Sequence, residues 1–239
     1  MNYAIIAAGE GSRLAAEGIA EPKPLVKIHG ETLIDRLLRI FLQNDAEAVF
    51  VICNDKNVEV CQHLSCLQKT GLQGGRVPLR FIEKTTPSSM HSFFELSKML
   101  PEGPFVLTTV DTIFAEEDFK GYLSDFRKSL QTGFTGVMGV TDYVDDEKPL
   151  YVETDKMLNI KGFHDDNSCD CQYVSAGIYG LNSGALNVLK HCMERQESRM
   201  RNFQRALIRE GQHLRAYPFT KVLDIDHATD IQKAEDFLQ

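Results

Sequence analysis

MNYAIIAAGEGSRLAAEGIAEPKPLVKIHG, residues 1–30, is the stretch that decides how this chain folds. Tyr3 to Ala8 is a continuous apolar run without alternation, the pattern of a strand buried on both faces and hence of a parallel sheet. Two glycines, Gly9 and Gly11, follow at once, then Ser12 and Arg13. Glycines at a strand exit let backbone N–H groups come close to a ligand. In an α/β sheet, ligands gather at the carboxyl ends of the strands. Backbone amides there, together with Arg13, suit phosphate oxygens. Gly-x-Gly alone does not separate a phosphate loop from an ordinary strand-exit turn. Pro22-Lys23-Pro24 then blocks helix continuation and stiffens the backbone around Lys23. A lysine on a stiff extended segment is a positioned cation or a chance surface lysine, and this segment alone does not separate the two.

Outward from that stretch, apolar runs alternate with helical spacing. Strands are expected at Ala48–Cys53, Leu79–Glu83 and Phe105–Thr109. Helices are expected at Thr32–Gln43, Asn57–Gln68, Met90–Leu100 and Glu116–Leu130. Strand–helix–strand order argues a parallel sheet with helices on both faces. The second half changes character: Phe134–Thr141, Leu150–Thr154, Leu158–Phe163 and Tyr173–Tyr179 read as strands without intervening helices. Helices follow at Ser183–Met193 and Ser198–Arg209, then a strand at Leu214–Phe219 and a helix from Ala228. The expected fold is α/β and three-layered, with a mixed, mostly parallel sheet. With no Pro/Gly/Ser-rich linker and no repeat, one domain spanning 1–239 is expected.

Composition narrows the partners. The chain has 239 residues, 43% hydrophobic and 25% charged, which is ordinary for a globular protein. No apolar run nears the roughly 20 residues that span a bilayer, and no secretory signal is evident, so no membrane partner and a cytoplasmic location are expected. Net charge is -8. The densest basic run, Arg195 to Arg209, is interleaved with Glu194 and Glu197 and reads as a solvated helix face, so no nucleic-acid partner is expected. Six cysteines lack any Cys-x-x-Cys pair. Cys169-Asp170-Cys171 has no second Cys/His pair nearby in sequence, so reduced, mostly buried thiols are expected rather than structural zinc.

Two familiar phosphate loops fail. The P-loop pattern Gly-x4-Gly-Lys-Ser/Thr does not occur. The dinucleotide fingerprint needs a third glycine where Leu14 stands, and an acidic residue about 20 residues on that is missing.

The ordered set Gly9-x-Gly11-Ser12-Arg13-Leu14, Pro22-Lys23-Pro24-Leu25, Ile28-x-Gly30 and Leu33-Ile34 resembles the signature of the nucleotidyltransferases that make nucleotide sugars and related activated alcohols. These include sugar-1-phosphate nucleotidylyltransferases and bacterial choline phosphate cytidylyltransferases, so the resemblance implies a GT-A-like, Rossmann-like fold. The resemblance is strongest over residues 1–35, then at Asp111 and over residues 224–239. It implies that the loop Ala8, Gly9, Gly11, Ser12 and Arg13 wraps a nucleoside triphosphate, with Arg13 on its phosphates. Lys23 would contact the phosphates near the reacting α-phosphorus.

It also implies a divalent cation. Magnesium takes one or two carboxylates and keeps several waters. Asp111 ends an apolar run and is, on the residues alone, a metal ligand or a turn cap. The family places a metal-binding Asp there, commonly in Gly-Asp; here Val110 replaces that glycine. In the late segment Leu223-Asp224-Ile225-Asp226-His227, the resemblance maps the second Mg²⁺ ligand to Asp226, with Asp224 in reserve. Asp230 reads as an acid in the first turn of the last helix. The Glu83–Ser92 stretch sits where the family often has a Gly-Thr-Ala-type loop contacting the base, which would involve Ser88 and Ser89; it reads equally as an N-capping loop before the Met90 helix. Val174-Ser175-Ala176-Gly177-Ile178 resembles the family's acceptor strand, implying a substrate contact at Gly177, but Ser175 replaces the usual Asn. Lys148, Lys161, His91 and His164 read as surface or structural residues as readily as functional ones.

The reading is an Mg²⁺-dependent transfer of NMP from an NTP to a small phosphorylated sugar or alcohol, with release of pyrophosphate. Arg13 and Lys23 are the catalytic candidates. A non-catalytic nucleotide-binding regulator and a GT-A glycosyltransferase are the alternatives; the first would not need paired aspartates and the second would not need Pro-Lys-Pro. The base, the acceptor and the oligomeric state are not readable.

Overall fold

The computed structural model describes residues 1–239. In chain order the elements are β1 (Asn2–Ala7), α1 (Ser12–Ala16), a 3-10 turn (Lys23–Leu25), β2 (Lys27–Ile28), β3 (Glu31–Thr32), α2 (Leu33–Gln43), β4 (Ala48–Cys53), α3 (Val58–Thr70), β5 (Leu79–Glu83), α4 (Ser89–Ser97), β6 (Phe105–Thr109), β7 (Thr112–Phe114), α5 (Glu116–Gln131), β8 (Gly136–Thr141), β9 (Tyr151–Thr154), β10 (Ile160–His164), β11 (Tyr173–Leu181), α6 (Ala185–Glu194), α7 (Met200–Arg209), β12 (Leu214–Pro218), β13 (Val222–Asp224) and α8 (Ala228–Phe237). The α/β class is as read, with eight helices and a mixed sheet. No helix is long and apolar enough to cross a membrane.

The chain divides into two compact units. The first comprises Met1–Pro101, Thr108–Ile113 and Asp224–Gln239; the second comprises Glu102–Leu107 and Phe114–Leu223.

In the first unit, β1 pairs in parallel with β4 from Asn2↔Ala48 to Ala7↔Cys53, and β4 with β5 from Val49↔Leu79 to Cys53↔Glu83. The Val110 amide donates to the Ile6 carbonyl at 3.0 Å, which brings the residue before Asp111 beside the end of β1. Right-handed crossovers place α2 and α3 on one face of these strands and α4 on the other. The strands are buried because their residues are apolar on both sides: Tyr3, Ile5, Val49, Val51 and Ile52 are all closed to solvent. Helix α2 starts at Thr32, whose Oγ1 accepts from the Asp35 amide at 3.2 Å, a standard N-cap. It then buries Leu37, Leu38 and Phe41, and Phe41 stacks on Tyr3 with ring centroids 4.2 Å apart. In register, the carboxyl ends of β1, β4 and β5 stand side by side and carry Ala8, Asn54 and Lys84 at their exits.

In the second unit, β11 runs antiparallel to β8 and β9, β10 antiparallel to β9, and β12 parallel to β8. Its core is aromatic: Phe119, Tyr122, Phe126, Tyr217 and Phe219 are in ring contact, and the Tyr122 hydroxyl donates to the Val137 carbonyl at 2.9 Å. The basic groups of α6 and α7 are paired, Arg195 with Glu197 and Glu210, and Arg201 and Arg205 with Asp165. They form the solvated, charge-balanced face expected from the sequence.

Several details differ from expectation. Residues 12–16 are helical, although the segment is too short to register as a periodic pattern. Lys23 opens a single 3-10 turn rather than an extended segment; Pro22 before it is extended (φ -55°, ψ 140°), and Pro24 sits at the start of the turn, where its lost N–H costs nothing. The short strands β2, β3, β7 and β13 were too brief to read. Three cysteines, Cys53, Cys61 and Cys192, are buried, but Cys66 and Cys169 are exposed and Cys171 is half-buried, so the thiols are less hidden than expected.

Candidate active site

A cleft of about 730 Å³ opens at the carboxyl ends of β1, β4 and β5, within the first unit. The expected loop residues Ala8, Gly9, Gly11, Ser12 and Arg13 line it, as do Lys23, Ser88, Ser89, Asp111 and Asp226. Gly11 adopts a left-handed conformation (φ 63°) as the chain turns into α1. That turn brings Arg13 round to the floor of the cleft.

The centre is one ammonium between two carboxylates. Lys23 Nζ donates to Asp111 Oδ2 at 2.7 Å and to Asp226 Oδ1 at 2.8 Å. Arg13 Nη2 lies 2.9 Å from the other oxygen, Asp226 Oδ2. The Lys23 side chain is only 12% exposed. Burial works against its charge, but Asp111 and Asp226 outweigh that and hold it above the ordinary lysine range. Burial likewise pushes Asp111 up, and the facing Lys23 ammonium more than reverses this, so Asp111 stays ionised. Lys23 and Asp111 are therefore both charged at neutral pH.

Each charged group is held from behind. Val110 takes the place of the family glycine without strain: it is buried, has no positive φ, and continues the strand through its bond to Ile6. The Asp111 carbonyl accepts from the Ile225 amide at 3.1 Å, tying the two aspartate-bearing segments together. The Asp226 amide donates to Asp230 Oδ2 at 3.1 Å, within a capping box that His227 and Asp230 form at the start of α8. Asp230 is thus the helix-start acid expected. Asp224 lines the same cleft, as the reserve reading required.

Sequence reasoning missed two parts of the frame. Glu17, just past α1, receives bonds from His227 Nδ1 and the Ala228 amide, both at 2.6 Å. This clamp joins the helix that carries Arg13 to the segment that carries Asp226. Asn54, at the exit of β4, donates to the Ala8 carbonyl at 3.3 Å and accepts from Thr85 Oγ1 at 2.7 Å. It links the glycine loop to the Thr85–Ser92 loop. The only sequence signal was its place, a buried polar residue right after an apolar strand.

Ser88 lines the cleft and stands at the N-cap position of α4 without a side-chain bond to a helix amide; its Oγ instead meets His91 Nδ1 at 2.8 Å. Gly177 is not among the residues of this cleft. It lies in β11 of the second unit, left-handed (φ 69°), where the pairing with β8 shifts register. Ser175 bonds Gln204 Oε1 at 2.9 Å, within that unit. Lys161 pairs with Asp155 and His164 with Glu153.

The family model described as nucleotidyl transferase matches residues 3–239. The chain belongs to the nucleotidyl transferase family. Among solved structures, this nucleotidyl transferase resembles the inositol-1-phosphate CTP transferase from T. maritima, with 17% identity and a TM-score of 0.78 over 100% of this chain and 97% of that one. It also resembles an apo UDP-glucose pyrophosphorylase, with 14% identity and a TM-score of 0.80 over 99% of this chain and 97% of that one. A UDP-glucose pyrophosphorylase complexed with UDP-glucose gives 15% identity and a TM-score of 0.78 over the same shares. At these identities the likeness is one of fold. No curated protein matches the sequence.

Proposed function

We propose that this nucleotidyl transferase moves an NMP unit from an NTP to a small phosphorylated sugar or alcohol and releases pyrophosphate, with Mg²⁺ as its cofactor. The observation that carries the proposal is the Lys23 ammonium between Asp111 and Asp226, at the mouth of a glycine loop. In this reaction an acceptor phosphate oxygen attacks the α-phosphorus and the bond to the β-phosphate oxygen breaks. The protein has little covalent work to do; it must align the reactants and offset negative charge.

The residues divide that work. Backbone amides of Gly9 and Gly11 approach the triphosphate, and Arg13 neutralises charge on the phosphates. Lys23 is positioned to follow the charge that shifts onto the departing oxygens. Ser88, Ser89 and Asn54 form the far wall, where the base would lie. The oxygen-only donor pair Asp111 and Asp226 suits Mg²⁺, and the reading is supported by their shared hold on one positive charge, the Lys23 ammonium. When bound, Mg²⁺ supplies additional charge neutralisation at the phosphates. The names of the structural neighbours favour a sugar-1-phosphate or inositol-1-phosphate acceptor, and Gly177 is proposed as part of the acceptor side.

The test is a pyrophosphate-release assay with each NTP against sugar-1-phosphates, inositol-1-phosphate and phosphocholine, with and without Mg²⁺. Mg²⁺-dependent release with one pair is expected. Silence across the whole panel would overturn the acceptor class proposed.

A further inference from the structure

Away from the cleft, in the second unit, three side chains of different chemistry converge. Glu153 comes from β9, His164 from the end of β10, and Cys169 from the loop that follows. Their carboxylate oxygen, imidazole nitrogen and thiol sulfur all lie within 4.8 Å of one another. We propose that Glu153, His164 and Cys169 bind a zinc ion. This inference is independent of the nucleotidyl-transfer reading.

The hairpin register makes the pairing. Glu153 stands opposite Gly162, and His164 lies two residues further on the same face, so imidazole and carboxylate meet diagonally. Their closest atoms, Nε2 and Oε2, are 2.9 Å apart. Gly162 keeps the place open: a Cβ there would stand 2.9 Å from His164 Nε2 and 3.3 Å from Glu153 Oε2. Cys169 arrives on the loop that continues directly from His164, and the start of that loop is fixed, since Asp165 is gripped by Arg201 at 2.6 Å and Arg205 at 2.7 Å. A His–Glu pair alone is ordinary surface chemistry; a thiol folded back onto it by the following loop is not.

The donor set selects the metal. Thiolate and imidazole are ligands for zinc-like ions, not for Mg²⁺. Tetrahedral zinc bonds of about 2.0–2.3 Å put ligand atoms roughly 3.3–3.6 Å apart, so Cys169 on its exposed loop closes in by about 1 Å and the His–Glu bond opens slightly. The fourth position is left to water. On binding, the Cys169 thiol gives its proton to solvent as the metal–sulfur bond forms, and His164 binds as neutral imidazole. No sequence motif marks the site, because its ligands come from a hairpin and a loop rather than from paired Cys-x-x-Cys turns.

The test is titration of the full chain with Co²⁺, followed by displacement with Zn²⁺. A thiolate-to-cobalt charge-transfer band in the near ultraviolet is expected. It should vanish in Cys169→Ser and in His164→Gln and persist in Cys66→Ser. Cobalt held by the oxygens of Asp111 and Asp226 gives no such band, so the two sites are told apart. A measurement that needs no variant accompanies it: Zn²⁺ should shield Cys169 from iodoacetamide, read by peptide mass spectrometry. Absence of the band in the wild type, its survival in Cys169→Ser, or equal alkylation with and without Zn²⁺ would overturn the proposal.

Discussion

Gly11 and Lys23 pack closely: a Cβ on Gly11 would stand 3.3 Å from the Cβ of Lys23, close enough that the lysine would have to give by a few tenths of an ångström. The glycine is also left-handed, at φ 63°. The loop therefore does more than expose amides; it leaves room for the lysine to stand between the aspartates. Gly11→Ala is expected to cost about 1–2 kcal/mol in stability from the left-handed backbone. It should cost more in turnover, because displacing Lys23 by a fraction of an ångström misaligns charge and phosphate. A thermal melt beside a pyrophosphate-release rate separates the two effects, and equal wild-type rates would show that Lys23 does not depend on this glycine.

Lys23→Met removes the charge and keeps much of the volume. Turnover is expected to fall by about 10²–10³-fold, the usual loss for a charge aimed at a reacting phosphate. The fold should remain, weakened by about 2–3 kcal/mol because two carboxylates are left facing each other in a half-buried place. Added Mg²⁺ should restore part of that stability in the variant. Wild-type activity in Lys23→Met would remove the basis for the proposed mechanism.

Chelation separates activity from folding. Lys23 and Arg13 already balance Asp111 and Asp226. In Cys169→Ser, which lacks a ligand of the proposed zinc site, treatment with EDTA is therefore expected to stop pyrophosphate release while leaving the melting temperature unchanged. Asp111→Asn and Asp226→Asn should each raise the Mg²⁺ concentration needed for half-maximal rate. A rate indifferent to EDTA would exclude the metal.

The Glu17–His227 clamp gives a pH signature. Its hydrogen bond to Glu17 is the main cause that holds His227 above its ordinary value of 6.5, and the same bond is the main cause that holds Glu17 below 4.5. The stability due to His227 is fully present below 6.5 and is lost as pH rises through its elevated folded value. The stability due to Glu17 is present above 4.5 and is lost as pH falls through its lowered folded value. The clamp thus contributes most between those two ordinary values. The melting temperatures of wild type and His227→Ala should differ more at about pH 5.5 than at about pH 9. A gap that widens at high pH would reverse the assignment.

The long buried elements were legible because their signals are dense. Ala48–Cys53, Leu79–Glu83 and Phe105–Thr109 have the expected bounds; the first and third are largely apolar and buried, and the second, an edge strand, keeps Leu79, Phe81 and Ile82 around an exposed Arg80. Residues 12–16 and the short strands beside Asp111 and Asp226 carry too few residues for a period to show. The individual members of the site were also legible, since Arg13, Lys23, Asp111 and Asp226 each stand at a strand exit or in an ordered motif. Their mutual arrangement was not. Lys23 was assigned to phosphate and the aspartates to metal, with no sign that ammonium and carboxylates hold one another. Glu17 and Asn54 were missed for the same reason: they act on partners 210 and 46 positions away in the chain, and no local pattern encodes such distances.

Lys23 is separated from Asp111 by 88 positions and from Asp226 by 203. Closing such long loops carries an entropic cost that only a nearly complete core repays. Until those loops close, the glycine loop lacks the charge arrangement of Lys23, Asp111 and Asp226 beside it. Nucleotide occupancy then reports on the whole first unit rather than on the loop alone, and by mass action a nucleotide that binds only the finished site draws the folding equilibrium toward it.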